Sequence, residues 1–178
     1  MNQQHEYIGT RKLLIEIVLA VITFWLFANS LINLIPNLQT SFGSYLSTIS
    51  IAVSLTALFC GMFVVGAGSL ADYFGRVRLT IIGLWLNIFG SLLIIVSDYI
   101  PLLLMGRAIQ GLSAALIMPA TLSLIKAYYH GDKRQRALSL WSIGSWGGSG
   151  FASLFGGMIA TFLSWRWIFV FSIIVPLI

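Results

Sequence analysis

Charge is what this sequence has least of. Only 8% of its 178 residues are Asp, Glu, Lys or Arg, against 58% hydrophobic residues. A soluble domain carries about 25% charged residues. So little polar surface cannot cover a water-exposed globule, which excludes a soluble enzyme or a soluble binding module. Acids are scarcer still: five against ten bases, for a net charge of +5. The bases fall in small groups between apolar runs rather than along one solvated face, so no nucleic-acid partner is expected. There is one cysteine, Cys60, inside an apolar run. It cannot form an internal disulfide, and packing is its expected use. No Gly-x-x-x-x-Gly-Lys-Ser/Thr loop is present, so no ATP drive is encoded. His5 and His130 lack neighbouring metal ligands, and no serine has an acid–base partner beside it. No enzyme chemistry, cofactor or metal is therefore expected. A cleavable signal is not expected either, because Arg11 and Lys12 precede an apolar run longer than a signal core.

What the sequence has is long uncharged runs. Residues 17–71 contain no charge over 55 positions, and residues 79–97 none over 19. A membrane-crossing helix needs about 20 mostly apolar residues. The runs predict spans over residues 13–34, 49–71, 79–96, 101–124 and 138–163, with residues 167–178 as an incomplete sixth. The first is expected to stop at Pro36, followed by a polar turn over 37–47. Helices are preferred to a β-barrel because the runs are long and do not alternate. Alternating spans place the N-terminus, the turn around Asp72 and a loop over 126–136 on one side. That side holds eight of the ten Lys and Arg. The positive-inside rule makes it cytoplasmic, in a multi-pass cell-membrane protein. Trp165 and Trp167 fall at the opposite interface, where amphipathic rings are favoured.

The turn between spans 2 and 3 carries the densest pattern. Gly68 and Gly75 bracket it, Asp72 sits in its middle, and Arg76 and Arg78 close it. Asp72 can pair with Arg76 or face a helix N-terminus; a purely topogenic loop is the alternative. The spacing Gly68-x-Leu70-Ala71-Asp72-x-x-Gly75-Arg76-x-Arg78 resembles the motif between helices 2 and 3 of the major facilitator superfamily. That resemblance implies a cytoplasmic charge lock between two halves of a transporter, with Asp72 and Arg76 as its working charges.

Arg107 lies within span 4. A guanidinium there costs at least ~2.5–3.5 kcal/mol, which makes it a functional-site candidate unless it snorkels outward. With Gln110, Gly111, Ala114 and Ala115 it resembles the superfamily's helix 4 motif of proton-coupled members. The resemblance implies an arginine that faces the central cavity and influences proton transfer. In span 5, Gly144, Gly148, Ala152 and Gly156 recur every four residues, with Gly157 beside them. One face is nearly free of side chains, so a neighbouring backbone can come close. By position this resembles the helix 5 motif of antiporters, although the usual proline is absent from Ala152-Ser153-Leu154-Phe155-Gly156-Gly157. Trp165-Arg166-Trp167-Ile168-Phe169 and Trp141-Ser142-Ile143-Gly144 narrow the resemblance to the fourteen-helix drug:proton antiporter branch, over the N-terminal part only. Span 1 departs from that branch, since Ala28 stands where an acid is usual. Asn29 and Asn33 lie four apart on one helix face and, with Trp25, are candidates to line a cavity. Glu16, the only carboxylate in a predicted span, reads as an interfacial residue near Arg11 and Lys12.

The expectation is an all-α integral membrane protein: the N-terminal helical bundle of a major facilitator fold, with five transmembrane helices plus a partial sixth. By resemblance, the intact protein exports hydrophobic or amphipathic drugs against protons by alternating access. Its partners are the lipid bilayer, protons, the drugs, and a missing C-terminal bundle. Without that bundle the chain is not expected to transport. Self-association through the span 5 ridge is one way to rebuild a two-bundle unit. An uptake symporter of the same superfamily and a non-transporting membrane fragment are the rival readings.

Overall fold

The computed structural model describes residues 9–177, apart from the side chains of Leu26, Phe27, Asn29, Ser30 and Ala160. The described residues form helices and no strand: α1 (Arg11–Ser30), a 3-10 turn (Leu31–Leu34), α2 (Ile35–Phe42), α3 (Leu46–Phe74), α4 (Arg76–Ile95), α5 (Ile100–Tyr128), α6 (Gly131–Phe162) and α7 (Arg166–Leu177). Helices suit an apolar chain because each backbone polar group is satisfied within its own segment. By length and composition alone, α3, α4 and α5 are long and apolar enough to cross a membrane, and α7 is a shorter apolar helix. Its 12 residues rise roughly 18 Å.

Every expected span contains a helix, but the boundaries move for local reasons. Pro36 does not stop the first span. It sits in the first turn of α2, where its missing N–H would be unpaired anyway, and the chain stays helical to Phe42. There Gly43 takes a left-handed conformation, φ 56°, and its N–H closes on the Gln39 carbonyl. The loop over 126–136 shrinks to Tyr129 and His130. Lys133, Arg134 and Arg136 lower hydropathy without opposing a helix, since Lys and Arg are good helix formers. Thr10 caps α1 through its hydroxyl to the Leu13 N–H at 3.3 Å.

α5 lies between α3 and α4, α1 packs along α6, and α7 packs on α4 and α1. This pairing is unchanged when α1, α3 and α4 are exchanged for α5, α6 and α7. The α3–α5 contact maps onto α6–α1, and α4–α5 onto α7–α1. The bundle is thus two three-helix repeats, with no matching sequence to announce them.

Small residues set how closely these helices approach. A Cβ on Gly106 would lie 2.9 Å from the Gly90 carbonyl oxygen, and one on Gly90 3.0 Å from the Gly106 oxygen, so α4 and α5 touch backbone to backbone. On the other side of α5, a Cβ on Gly111 would lie 2.6 Å from both the Thr56 carbonyl oxygen and Phe59. Ser113 adds a 2.7 Å hydrogen bond from its hydroxyl to the Gly83 carbonyl.

The two ends of the bundle differ. At one end the Gly9 N–H donates to the Tyr128 carbonyl at 2.8 Å, and the Tyr129 hydroxyl donates to the Thr10 carbonyl at 2.6 Å. Burial pushes the Tyr129 phenol above its ordinary pKa. At the other end Arg166 donates to the Ile95 and Ser97 carbonyls at 3.0 Å each, meets Asp98 at 3.4 Å, and stacks 4.7 Å over the Trp165 ring. The Trp165 indole N–H reaches the Ser41 hydroxyl at 3.1 Å. The Trp165 segment therefore ties α2, α4 and α7 together.

Candidate functional site

Among the described residues, Arg107 is the largest fully buried side chain. Gly106 and Gly111 bring α4 and α3 close enough to enclose it. Its Nε donates to the Ala52 carbonyl at 3.2 Å and an Nη to the Val53 carbonyl at 3.3 Å, both on α3. The other Nη donates to Gln110 Oε1 at 2.9 Å. In return the Thr56 hydroxyl donates to the Arg107 backbone carbonyl at 3.0 Å. Hydrogen bonds to a charged group contribute about 1.5–3 kcal/mol each. Three of them outweigh the ~2.5–3.5 kcal/mol insertion cost, so the guanidinium has no energetic need to snorkel. The family resemblance implies an arginine that faces a central cavity; Arg107 is fully buried within this bundle. Gln110 and Gly111 do lie with it, Gln110 as a direct partner and Gly111 as the close approach to α3.

The turn at the opposite extreme is wet. Asp72 lies in the last turn of α3, Gly75 turns the chain with φ 96°, and α4 begins at Arg76. Only glycine adopts that φ without strain. Arg76 donates to Asp72 at 3.2 Å and to the Ser123 carbonyl of α5 at 3.2 Å. The pair is well exposed, Asp72 by 65% and Arg76 by 37% of their side chains. Exposed pairs of this spacing contribute only ~0.3–0.5 kcal/mol. Such a contact braces little and breaks easily. Arg78 is exposed, and Gly68 lies against Pro119 of α5. A cleft of about 480 Å³ opens beside the turn, lined by Asp72, Gly75, Arg76, Arg78 and Tyr128.

The α6 ridge is partly occupied from within. Gly144 faces Val18 and Ile22 of α1, and Gly148 faces the Trp25 ring. The Trp25 indole N–H donates to Ser145 at 3.1 Å. Asn33, on the 3-10 turn, is exposed and donates to the Ser153 carbonyl at 3.2 Å. Ala152 and Gly156 are buried, while a Cβ on Gly157 would meet open space. The Gly144–Gly148 face is covered by α1, so it is not available for pairing with a second copy. Of the cavity candidates, Trp25 packs in the α1–α6 interface, and the Asn29 side chain lies outside the described residues. Glu16 meets Lys12 at 3.9 Å.

Sequence reasoning missed Asn87, Ser91, Ser113 and Ser172, all fully buried. Gln110 donates to Ser91 at 3.0 Å, and Asn87 donates to the Ser172 carbonyl at 2.9 Å. The signal was present: Asn87 and Ser91 lie four apart in α4, and Gly83 and Gly90 seven apart, which puts polar and small residues on the face toward α5 and α7.

A bundle of apolar helices built from two repeats, with a buried cation and a charged turn, is an architecture that membrane transporters use. The sequence profile described as the Major Facilitator Superfamily matches residues 17–178. The chain belongs to that superfamily. It is 68% identical over 170 residues to proteins named "Quinolone resistance protein NorB" from Staphylococcus aureus, in strain JH9 and in strain Newman. Those alignments cover 96% of this chain and 37% of each relative, so the chain spans well under half of their length. In fold it is similar to the crystal structure of a bacterial homolog of the human lysosomal transporter Spinster, in an inward-facing, unoccupied conformation. The TM-score is 0.79 at 18% identity, over 95% of this chain and 43% of that one.

Proposed function

We propose that this chain is the N-terminal bundle of a proton-coupled exporter of hydrophobic or amphipathic drugs, quinolones among them. One observation carries the reading: 68% identity, over 96% of the chain, to proteins named for quinolone resistance. The mechanism is alternating access, with this bundle rocking against a second one. The Asp72–Arg76 turn serves as the switch, because an exposed pair breaks at little energetic cost. Arg107, with Gln110 and Gly111, tunes the coupling proton from beneath the surface. The glycines of α6 set its packing on α1, and Trp25, Asn29 and Asn33 flank the drug path. The N-terminus is cytoplasmic. This follows from the basic residues, eight of ten of which lie at the Tyr129 end of the bundle or beside it.

The 37% coverage of the relatives favours a second reading, a bundle that does not transport alone. Ethidium or norfloxacin efflux from cells separates the two. The expected result is no efflux from this chain alone and efflux when the C-terminal remainder of a relative is co-expressed. Absence of efflux from the co-expressed pair, with both parts present in the membrane, would remove the exporter reading.

A further inference from the structure

α7 is almost wholly apolar, and Ser172 is its one buried polar side chain among the described residues. That serine does not merely satisfy itself. It joins a file of fully buried polar groups that begins at Arg107, crosses α5 and α4, and ends on α7. Arg107 donates to Gln110 at 2.9 Å, and Gln110 to Ser91 at 3.0 Å. Ser91 approaches Ser172 at 3.5 Å, and Ser172 approaches Asn87 Oδ1 at 3.4 Å. Asn87 returns its amide N–H to Ser172, at 2.9 Å to the carbonyl and 3.1 Å to the hydroxyl.

The direction of donation along this file is fixed at its Arg107 end. A guanidinium can only donate, so Gln110 must turn its carbonyl to Arg107 and its NH2 to Ser91. The Ser91 oxygen then accepts, which leaves its proton for Ser172. At the far end the Ser172 backbone carbonyl can only accept, so Asn87 turns its NH2 to Ser172 and meets the file from the opposite side. In a low-dielectric interior, bonds polarised in one direction strengthen each other. The positive charge of Arg107 sets that direction, and α7 stands at its end.

We propose that Gln110, Ser91 and Ser172 are positioning residues forming one polarised hydrogen-bond chain, clasped at its end by Asn87, through which the charge of Arg107 holds α7 on α4. If a carboxylate or a proton movement draws the guanidinium away from Gln110, the amide is free to turn, and the chain loses its direction. The link between the cation and α7 is therefore conditional on the state of Arg107. As a part of transport the role rests on the exporter reading above; as a feature of this bundle it can be tested without transport.

Gln110→Glu provides the test. It keeps the size and the contact to Arg107, but its second oxygen must accept from Ser91, which reverses the chain. Ser172→Ala is the milder companion, removing the hydroxyl alone. Both are compared with the parent chain in lipid nanodiscs by hydrogen–deuterium exchange. Exchange of the α7 amides is expected to rise about tenfold in Gln110→Glu and less in Ser172→Ala, with α6 unchanged. Unchanged α7 exchange in both variants overturns the proposal. So does an equal rise in every helix, which would mark Gln110 as structural filling only. In the co-expressed pair, Ser172→Ala is expected to lower maximal ethidium efflux at an unchanged half-saturating concentration. Efflux of the unmodified pair decides the exporter reading, and α7 exchange decides the chain.

Discussion

Arg76 and Arg107 carry the same side chain on opposite terms with water. Arg76 lies at a helix start, half-exposed, holding one carboxylate and one carbonyl. Arg107 has no exposed surface and lies among the carbonyls of a neighbouring helix. Solvent replaces whatever Arg76 loses, so its contacts are cheap to make and to break. Nothing replaces what Arg107 loses, so its partners must all be in place at once. One arginine holds contacts that open at little cost. The other fixes the helices around it and changes state only when its partners do.

Removing each arginine's partnership should separate the two most clearly. Arg107→Leu strands Gln110 and breaks the contacts to α3. We expect a loss of about 3 kcal/mol of stability, read by thermal or denaturant unfolding in micelles. A loss below ~1 kcal/mol would show that the buried cation contributes little.

The packing that encloses Arg107 sharpens the contrast. Gly111→Ala drives a methyl into the Thr56 carbonyl and Phe59, and should cost about 1–3 kcal/mol. Gly157→Ala meets open space and should be neutral or stabilising by up to ~1 kcal/mol, because alanine is the better helix former. Equal effects at the two sites would sink the claim that close approach, rather than helix propensity, governs α5.

At the exposed site the expected effect on stability is small. Asp72→Asn should change unfolding by no more than ~0.5 kcal/mol. In cells co-expressing the C-terminal remainder, however, it should reduce efflux severalfold. Normal efflux would reduce the turn to a topological signal.

The smallest effect is a pH dependence at the Tyr129 end. Burial raises the phenol's pKa, so the folded state favours the neutral form, which donates to Thr10. Its contribution is complete below the ordinary tyrosine value near ~10 and is lost as pH rises through the folded value. Exchange of the first α1 amides should quicken above that range in the parent chain and lose its dependence on phenol ionisation in Tyr129→Phe.

The charged turn was legible because its meaning is local. Gly68, Asp72, Gly75 and Arg76 fall within one short window, and their spacing survives projection onto a string. Arg107 was legible as an anomaly, a charge in an apolar run, and Gln110 was named beside it, but its partners on α3 were not. Ala52 and Val53 contribute backbone carbonyls, which every residue has, and Ser172 comes from a helix far along the chain. The α6 glycine ridge was visible, but its partner α1 was not. The tightest approaches, Gly90 with Gly106 and Gly111 with Thr56, join residues whose significance appears only in pairs. Pro36 was misread because the same ring that stops a helix also starts one, and the position within the turn decides which.

The sequence by itself determined that this chain enters a membrane as helices. Hydropathy and backbone hydrogen bonding act within a segment and need no partner. It also determined the superfamily, through short motifs in the turn and in span 4. Only the tertiary structure decided that α1, α3 and α4 repeat as α5, α6 and α7, and that Arg107 lies beneath α3. It alone also joined Arg107 to α7. Those facts depend on which helices meet, and in a bundle whose surfaces are nearly all apolar that choice rests on shape and a few buried polar contacts rather than on any single residue.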